Sequence, residues 1–146
     1  TASDFDPEAL AVAQANGERL KLPVTWVLGD WLKPFANQRY DLIVSNPPYL
    51  AADDPHLTAL QHEPQHALIS TEHGLGDLRH IVQNAAMHLQ AGGWLLLEHG
   101  HQQGPWVQQM LQESGFTQIG ERCDLSGHVR CSGGRLEQGF SGREII

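Results

Sequence analysis

Tyr40-Asp41-Leu42-Ile43-Val44-Ser45-Asn46-Pro47-Pro48-Tyr49 is the stretch on which the fold turns. Leu42-Ile43-Val44 is a continuous apolar run of strand length, the pattern of a strand buried in a sheet rather than of one with a wet face. The strand must stop at Ser45, because Pro47 and Pro48 in succession supply no backbone N–H to a ladder.

Outward from this strand, apolar runs alternate with amphipathic ones. Upstream, Asp6-Pro7-Glu8 offers an N-cap, a proline in the first turn and an early acid, followed by Ala9 to Ala13 and closed at Asn16-Gly17, so a short helix is expected there. A second buried strand is expected over 23–28, ending at Gly29-Asp30-Trp31. Downstream, 50–75 is polar and broken by Pro55 and Pro64, which reads as a long loop with a helical turn in it. Leu78, Ile81, Val82, Ala85, Ala86 and Leu89 line one face of a three-turn helix that Gly92-Gly93 should end. Trp94 to Leu97 reads as another strand and 105–114 as a helix with Val107, Met110 and Leu111 inward, stopped by Gly115. Residues 116–119 and 128–131 should form an antiparallel pair. Such alternation indicates an α/β fold, a mostly parallel sheet covered by helices with an antiparallel hairpin at its C-terminal end.

Composition bounds the rest. The 146 residues carry a net charge of −8 at pH 7 with 40% hydrophobic residues, 15 glycines and two cysteines. A chain of this length buries roughly two thirds of its unfolded surface, so it needs no disulfide or metal to build a core. Cys123 and Cys131 read as unpaired thiols of a reducing compartment. No apolar run approaches the roughly 18 residues of a membrane span, and Thr1-Ala2-Ser3-Asp4 resembles no secretory signal, so a cytoplasmic location is expected. The negative field disfavours phosphate backbones, which makes a protein or a small molecule the better partner and direct nucleic-acid binding unexpected. Nine histidines raise the question of a metal. None is expected, because Pro64 interrupts the His62/His66 pair.

In an open parallel sheet, ligands bind beyond the carboxyl ends of the strands. Three such ends stand out. Asp4 can accept hydrogen bonds from a ribose diol or cap the helix that follows. Asp30-Trp31 places an acid beside a flat ring, which suits an adenine, although a half-buried core tryptophan has the same signature. Asn46-Pro47-Pro48-Tyr49 is the strongest. It presents acceptors, the Asn46 side-chain carbonyl and the Pro47 main-chain carbonyl, and a planar NH2 has two protons to offer them. Two fixed acceptors orient an amide or exocyclic amine for attack and favour a pyramidal nitrogen, while Tyr49 can stack on the planar group. Glu98 and His99, at the end of the Trp94 strand, are expected to support this loop without transferring a proton.

Residues 40–49 resemble the hallmark of S-adenosylmethionine-dependent methyltransferases that modify planar nitrogens. His62-Glu63-Pro64, Ala67-Leu68, Gly74, and Gly92-Gly93-Trp94-Leu95-Leu96-Leu97-Glu98-His99-Gly100 with Gln102-Gln103-Gly104 further resemble the HemK-type glutamine methyltransferases of peptide chain release factors. The resemblance implies a Rossmann-like class I methyltransferase sheet and methyl transfer from S-adenosylmethionine to the glutamine amide of a Gly-Gly-Gln loop, with release factors as protein partners. It implies a catalytic set of Asn46, Pro47 and Tyr49, a cofactor-binding set of Asp4, Asp30, Trp31 and Asn46, and a substrate-binding set of Asn46, Pro47, Pro48 and Tyr49. That family opens its catalytic domain with a strand and a glycine-rich loop that find no match here. Residues 1–136 are therefore expected to be an N-terminally truncated catalytic domain whose absent central strand leaves two open ladders, and 137–146 a tail. A nucleic-acid amine methyltransferase and a noncatalytic fragment stand as the alternatives.

Overall fold

The computed structural model describes residues 1–137, so the expected tail lies, Glu137 apart, outside the described residues. The chain forms two compact units, Thr1–Gln38 and a larger one from Arg39 onward.

In the first unit, β1 (Ala2–Asp4) pairs in parallel with β2 (Trp26–Leu28), Asp4 standing opposite Leu28. Between them runs α1 (Pro7–Arg19), whose N-cap Asp6 accepts from the backbone N–H of Glu8 at 2.7 Å and of Ala9 at 3.3 Å. A side chain capping two otherwise orphaned donors is the local reason the helix begins there. The helix does not close at Asn16-Gly17 as expected but continues through Arg19. Gly17 faces the Trp26 indole so closely that a Cβ would lie 2.6 Å from its Cζ2, so this glycine permits a close helix–strand approach and is not a stop.

In the second unit the sheet order is β3-β4-β6-β5. β3 (Tyr40–Ser45) runs parallel to β4 (Leu89–Glu98), with Ser45 opposite Leu97. β6 (Val129–Arg135) is antiparallel to both β4 and β5 (Thr117–Cys123), the expected terminal hairpin. The expected α/β fold with its parallel pairs and closing hairpin is present. The long loop holds short 3₁₀ turns at Pro55–Thr58 and Gln65–Ala67 and a single turn, α2 (Thr71–Gly74).

The helix α3 (Gly76–Ala85) buries Leu78, Ile81, Val82 and Ala85, the face its spacing indicated. It ends earlier than expected. Leu89 opens β4, and Gly92-Gly93 lie inside that strand rather than at a helix end. The register jumps there, from Tyr40 opposite Leu89 to Leu42 opposite Trp94, and Gly92 takes a φ of 84°. The glycine pair is a bulge, where an extra stretch of one strand is accommodated by left-handed backbone.

The core is built from Leu78 and Val82 of α3, Leu95 and Leu97 of β4, and Val107 and Leu111 of α4 (Gly104–Glu113), all fully buried. Each such aliphatic side chain contributes roughly 1.5–3 kcal/mol by leaving water. β3 is less buried than its apolar run suggests. Ile43 points into the core, but Leu42 and Val44 are 51% and 67% exposed. The reason is alternation: Leu42 and Val44 point to the face of the sheet opposite Ile43, and among the described residues β3 also has a partner on one side only, as β1 does in the first unit. Each therefore carries one open ladder of backbone donors and acceptors.

Candidate functional site

In the first unit two sequence-indicated ends come together at the C-terminal edge of the parallel pair. Asp4 closes β1, and its Oδ1 accepts the Asp6 N–H at 2.8 Å, an Asx turn that leads the chain into α1. Gly29 donates to the Asp4 main-chain carbonyl at 2.9 Å, which ties the residue after β2 to the end of β1. Asp30 forms an ion pair with Lys33. Trp31 is half-buried, sits in left-handed backbone at φ 48°, and accepts the Ser3 hydroxyl on its carbonyl at 3.4 Å. Asp4 is exposed, so its carboxylate remains open to a ligand beyond its local turn.

In the second unit, Asn46-Pro47-Pro48-Tyr49 leaves the C-terminal end of β3. The Asn46 side chain is exposed while Pro47 is fully buried, so the loop is anchored by its proline and presents its amide to solvent. Beside it, at the end of the parallel β4, Glu98 accepts the Tyr49 hydroxyl on Oε1 at 3.3 Å. Burial first, and the Glu98 carboxylate second, push the Tyr49 phenol above its ordinary pKa, so it stays protonated and donating. Immediately after the motif Leu50 joins Ile69 in a parallel bridge, its N–H on the Leu68 carbonyl and its carbonyl accepting from Ser70, both at 2.9 Å.

His99 lies one residue beyond β4 and is fully buried. Its Nδ1 is 2.8 Å from the Gly100 carbonyl, which can only accept, so Nδ1 carries the proton. Nε2 must then accept from the Ser132 hydroxyl, also at 2.8 Å. Burial lowers the imidazole pKa, which keeps this tautomer neutral. With both nitrogens engaged inside the protein, His99 orders the β4–α4 connection and has no ring nitrogen to spare. Gln103, which the sequence marks only as part of a family-like segment, ties three segments together near the motif. It contacts the backbone of Tyr49, Gly74 and Gly100. An amide just before a Gly-Pro helix start was the available signal. Among the described residues, no group of three histidine, cysteine or acidic side chains is arranged to hold a metal ion, and no helix is long and apolar enough to cross a membrane.

Comparison with known proteins adds kinship to this geometry. The family model described as methyltransferase small domain matches residues 1–119. The chain is 42% identical over 139 residues to the release factor glutamine methyltransferase of Salmonella typhimurium, covering 93% of this chain and 50% of that protein. To the protein of the same name from Vibrio cholerae it is 41% identical over 141 residues, covering 94% and 49%. Thus the chain spans about half the length of the curated relatives it matches. Among solved structures, a methyltransferase from Pyrococcus furiosus superposes with a TM-score of 0.69 at 20% identity, over 94% of this chain and 61% of that one.

Proposed function

The chain belongs to the methyltransferase small domain family, and on that premise we propose that it transfers a methyl group from S-adenosylmethionine to the side-chain amide nitrogen of the glutamine in the Gly-Gly-Gln loop of peptide chain release factors. One observation carries the reading: an exposed Asn46 amide on a loop anchored by the buried Pro47, at the carboxyl end of a parallel strand, with Tyr49 held beside it by Glu98. The likeness to the two named relatives supports the substrate class, and the −8 charge favours a protein over a nucleic acid.

The residues fit the donor. Asp4 offers a carboxylate to a ribose diol, and Asp30 and Trp31 offer an acceptor and a ring to an adenine, on adjacent ends of one parallel pair. When bound, S-adenosylmethionine supplies an electrophilic methyl on a positively charged sulfur. Asn46 receives the acceptor. Its side-chain carbonyl and the Pro47 carbonyl each accept one N–H of the glutamine amide, which fixes the nitrogen and draws its protons toward the acceptors, leaving density on the nitrogen. Tyr49 packs its ring on the amide plane, and Pro48 shapes the loop by supplying no competing N–H. The methylated nitrogen sheds one proton to water. His99, with both ring nitrogens occupied, does not take it.

The test is a methylation assay with labelled S-adenosylmethionine and the full-length protein encoded by the gene, comparing a release factor with its Gly-Gly-Gln Gln→Ala variant. Label on the first and not the second is expected. Equal labelling of both, or labelling of RNA or DNA instead, would overturn the reading.

A further inference from the structure

Gln103 occupies the N-cap position of α4 and does not cap it. Asn, Asp, Ser and Thr are favoured at that position because a short side chain can reach back to the first helical N–H groups. Here the longer amide turns away, and each of its groups serves another segment. Oε1 accepts the Gly100 N–H at 2.8 Å, while Nε2 donates to the Tyr49 carbonyl at 3.0 Å and to the Gly74 carbonyl at 3.3 Å.

The need for such a tie follows from the motif. Pro47 and Pro48 have no N–H, so two of the four residues of the loop offer a backbone anchor only their carbonyls. The Tyr49 carbonyl shares a peptide plane with the Leu50 N–H, which is bonded to Leu68. Holding both ends fixes that plane, and with it the direction in which Asn46 to Tyr49 leave β3. The third segment is built to fit. Glu72 and His73 take left-handed backbone at φ 51° and 55°, followed by Gly74 at 88°, conformations that non-glycine residues rarely adopt in succession. A Cβ on Gly74 would collide with the Tyr49 carbonyl oxygen and lie 2.8 Å from Gln103 Nε2. The Gly74 turn and the Gln103 amide thus close on the same carbonyl.

We propose that Gln103 is the positioning residue of the transfer, setting the attitude of the Asn46–Tyr49 loop toward the acceptor amide through the Tyr49 carbonyl. This rests on the reading of that loop as the acceptor site. Gln103→Glu keeps the shape but turns an oxygen onto two carbonyls, and Gln103→Met removes the polar groups altogether. With the full-length protein and a release factor, kcat is expected to fall about 10- to 100-fold in both variants, as displacement of a reacting group by about an ångström does. KM for S-adenosylmethionine should stay within about threefold. A merely structural role would not distinguish the two variants by pH. A carboxylate facing carbonyls has a raised pKa and, once protonated, can donate again, so the Glu variant should regain turnover relative to the Met variant between about pH 8 and about pH 6. Their ratio cancels the contributions of Glu98 and His99, common to both. Amide exchange gives a readout independent of chemistry. The Leu50 N–H should exchange at least about 10-fold faster in Gln103→Glu, with the core Leu111 N–H unchanged, and Gln102→Glu should alter nothing. Wild-type kcat in Gln103→Glu, a pH-independent loss shared by both variants, or unaltered Leu50 exchange overturns the role of Gln103 alone. An inactive wild-type protein overturns the acceptor reading and the proposal with it.

Discussion

Replacing His99 by alanine separates a residue that orders the site from one that performs the chemistry. The imidazole is fully buried, and its two hydrogen bonds reach Gly100 and Ser132, the latter also fully buried. The substitution removes two hydrogen bonds of about 1 kcal/mol each and leaves the Ser132 hydroxyl orphaned at about 1–3 kcal/mol. These terms alone come to roughly 3–5 kcal/mol, a large part of the roughly 5–15 kcal/mol that holds a domain together, and the space vacated by the ring adds to them. Urea unfolding of the full-length protein should show that loss as a lowered midpoint. His99→Ala/Ser132→Ala should cost about 1–2 kcal/mol less than the sum of its two single variants, because the hydroxyl is no longer stranded. Turnover per folded molecule should fall by less than about 100-fold. A loss greater than about 1,000-fold with an unchanged unfolding midpoint would refute the reasoning, since a general acid or base contributes roughly 100- to 10,000-fold.

Three further outcomes are expected. Because burial holds the His99 pKa below its ordinary value, the unfolded chain takes up the proton first, so stability should decline as pH falls below about 6.5; urea midpoints measured across this range should show a shallower decline in His99→Ala. Tyr49→Phe keeps the ring but loses the bond to Glu98, so a cost of about 0.5–1.5 kcal/mol in unfolding experiments should accompany a modest loss of turnover. Gly17→Ala drives a methyl to 2.6 Å from the Trp26 ring and should destabilise the first unit by about 1–3 kcal/mol, read as faster exchange of the Gly29 N–H that donates to Asp4.

The strand at Tyr40–Ser45, the buried face of α3 and the closing hairpin were legible because each rests on a local pattern that the packing then used. Glycines were where local reading failed. Gly17 and Gly92-Gly93 looked like helix ends, but their reasons are a tryptophan ring brought into contact and a bulge against Tyr40, neither of which is near in sequence. The same holds at the site. Asn46, Pro47 and Tyr49 announced themselves because an acceptor-only loop is written in consecutive residues. Gln103 did not, because its bonds span 54 and 29 residues to backbone atoms that carry no side-chain signature. Nor does anything in Thr71-Glu72-His73 foretell left-handed backbone; that conformation accompanies a Gly74 carbonyl which Gln103 binds.

Whether the Asn46 loop holds a glutamine amide for methyl transfer is tested most directly by tandem mass spectrometry of a release factor treated with the full-length protein and S-adenosylmethionine. One added methyl is expected on the side-chain nitrogen of the Gly-Gly-Gln glutamine, its transfer slowed on the order of 100- to 1,000-fold by Asn46→Ala, as loss of one preorganised group at a reacting centre does. A methyl on any other atom, or an unchanged rate in Asn46→Ala, would contradict that role of the loop.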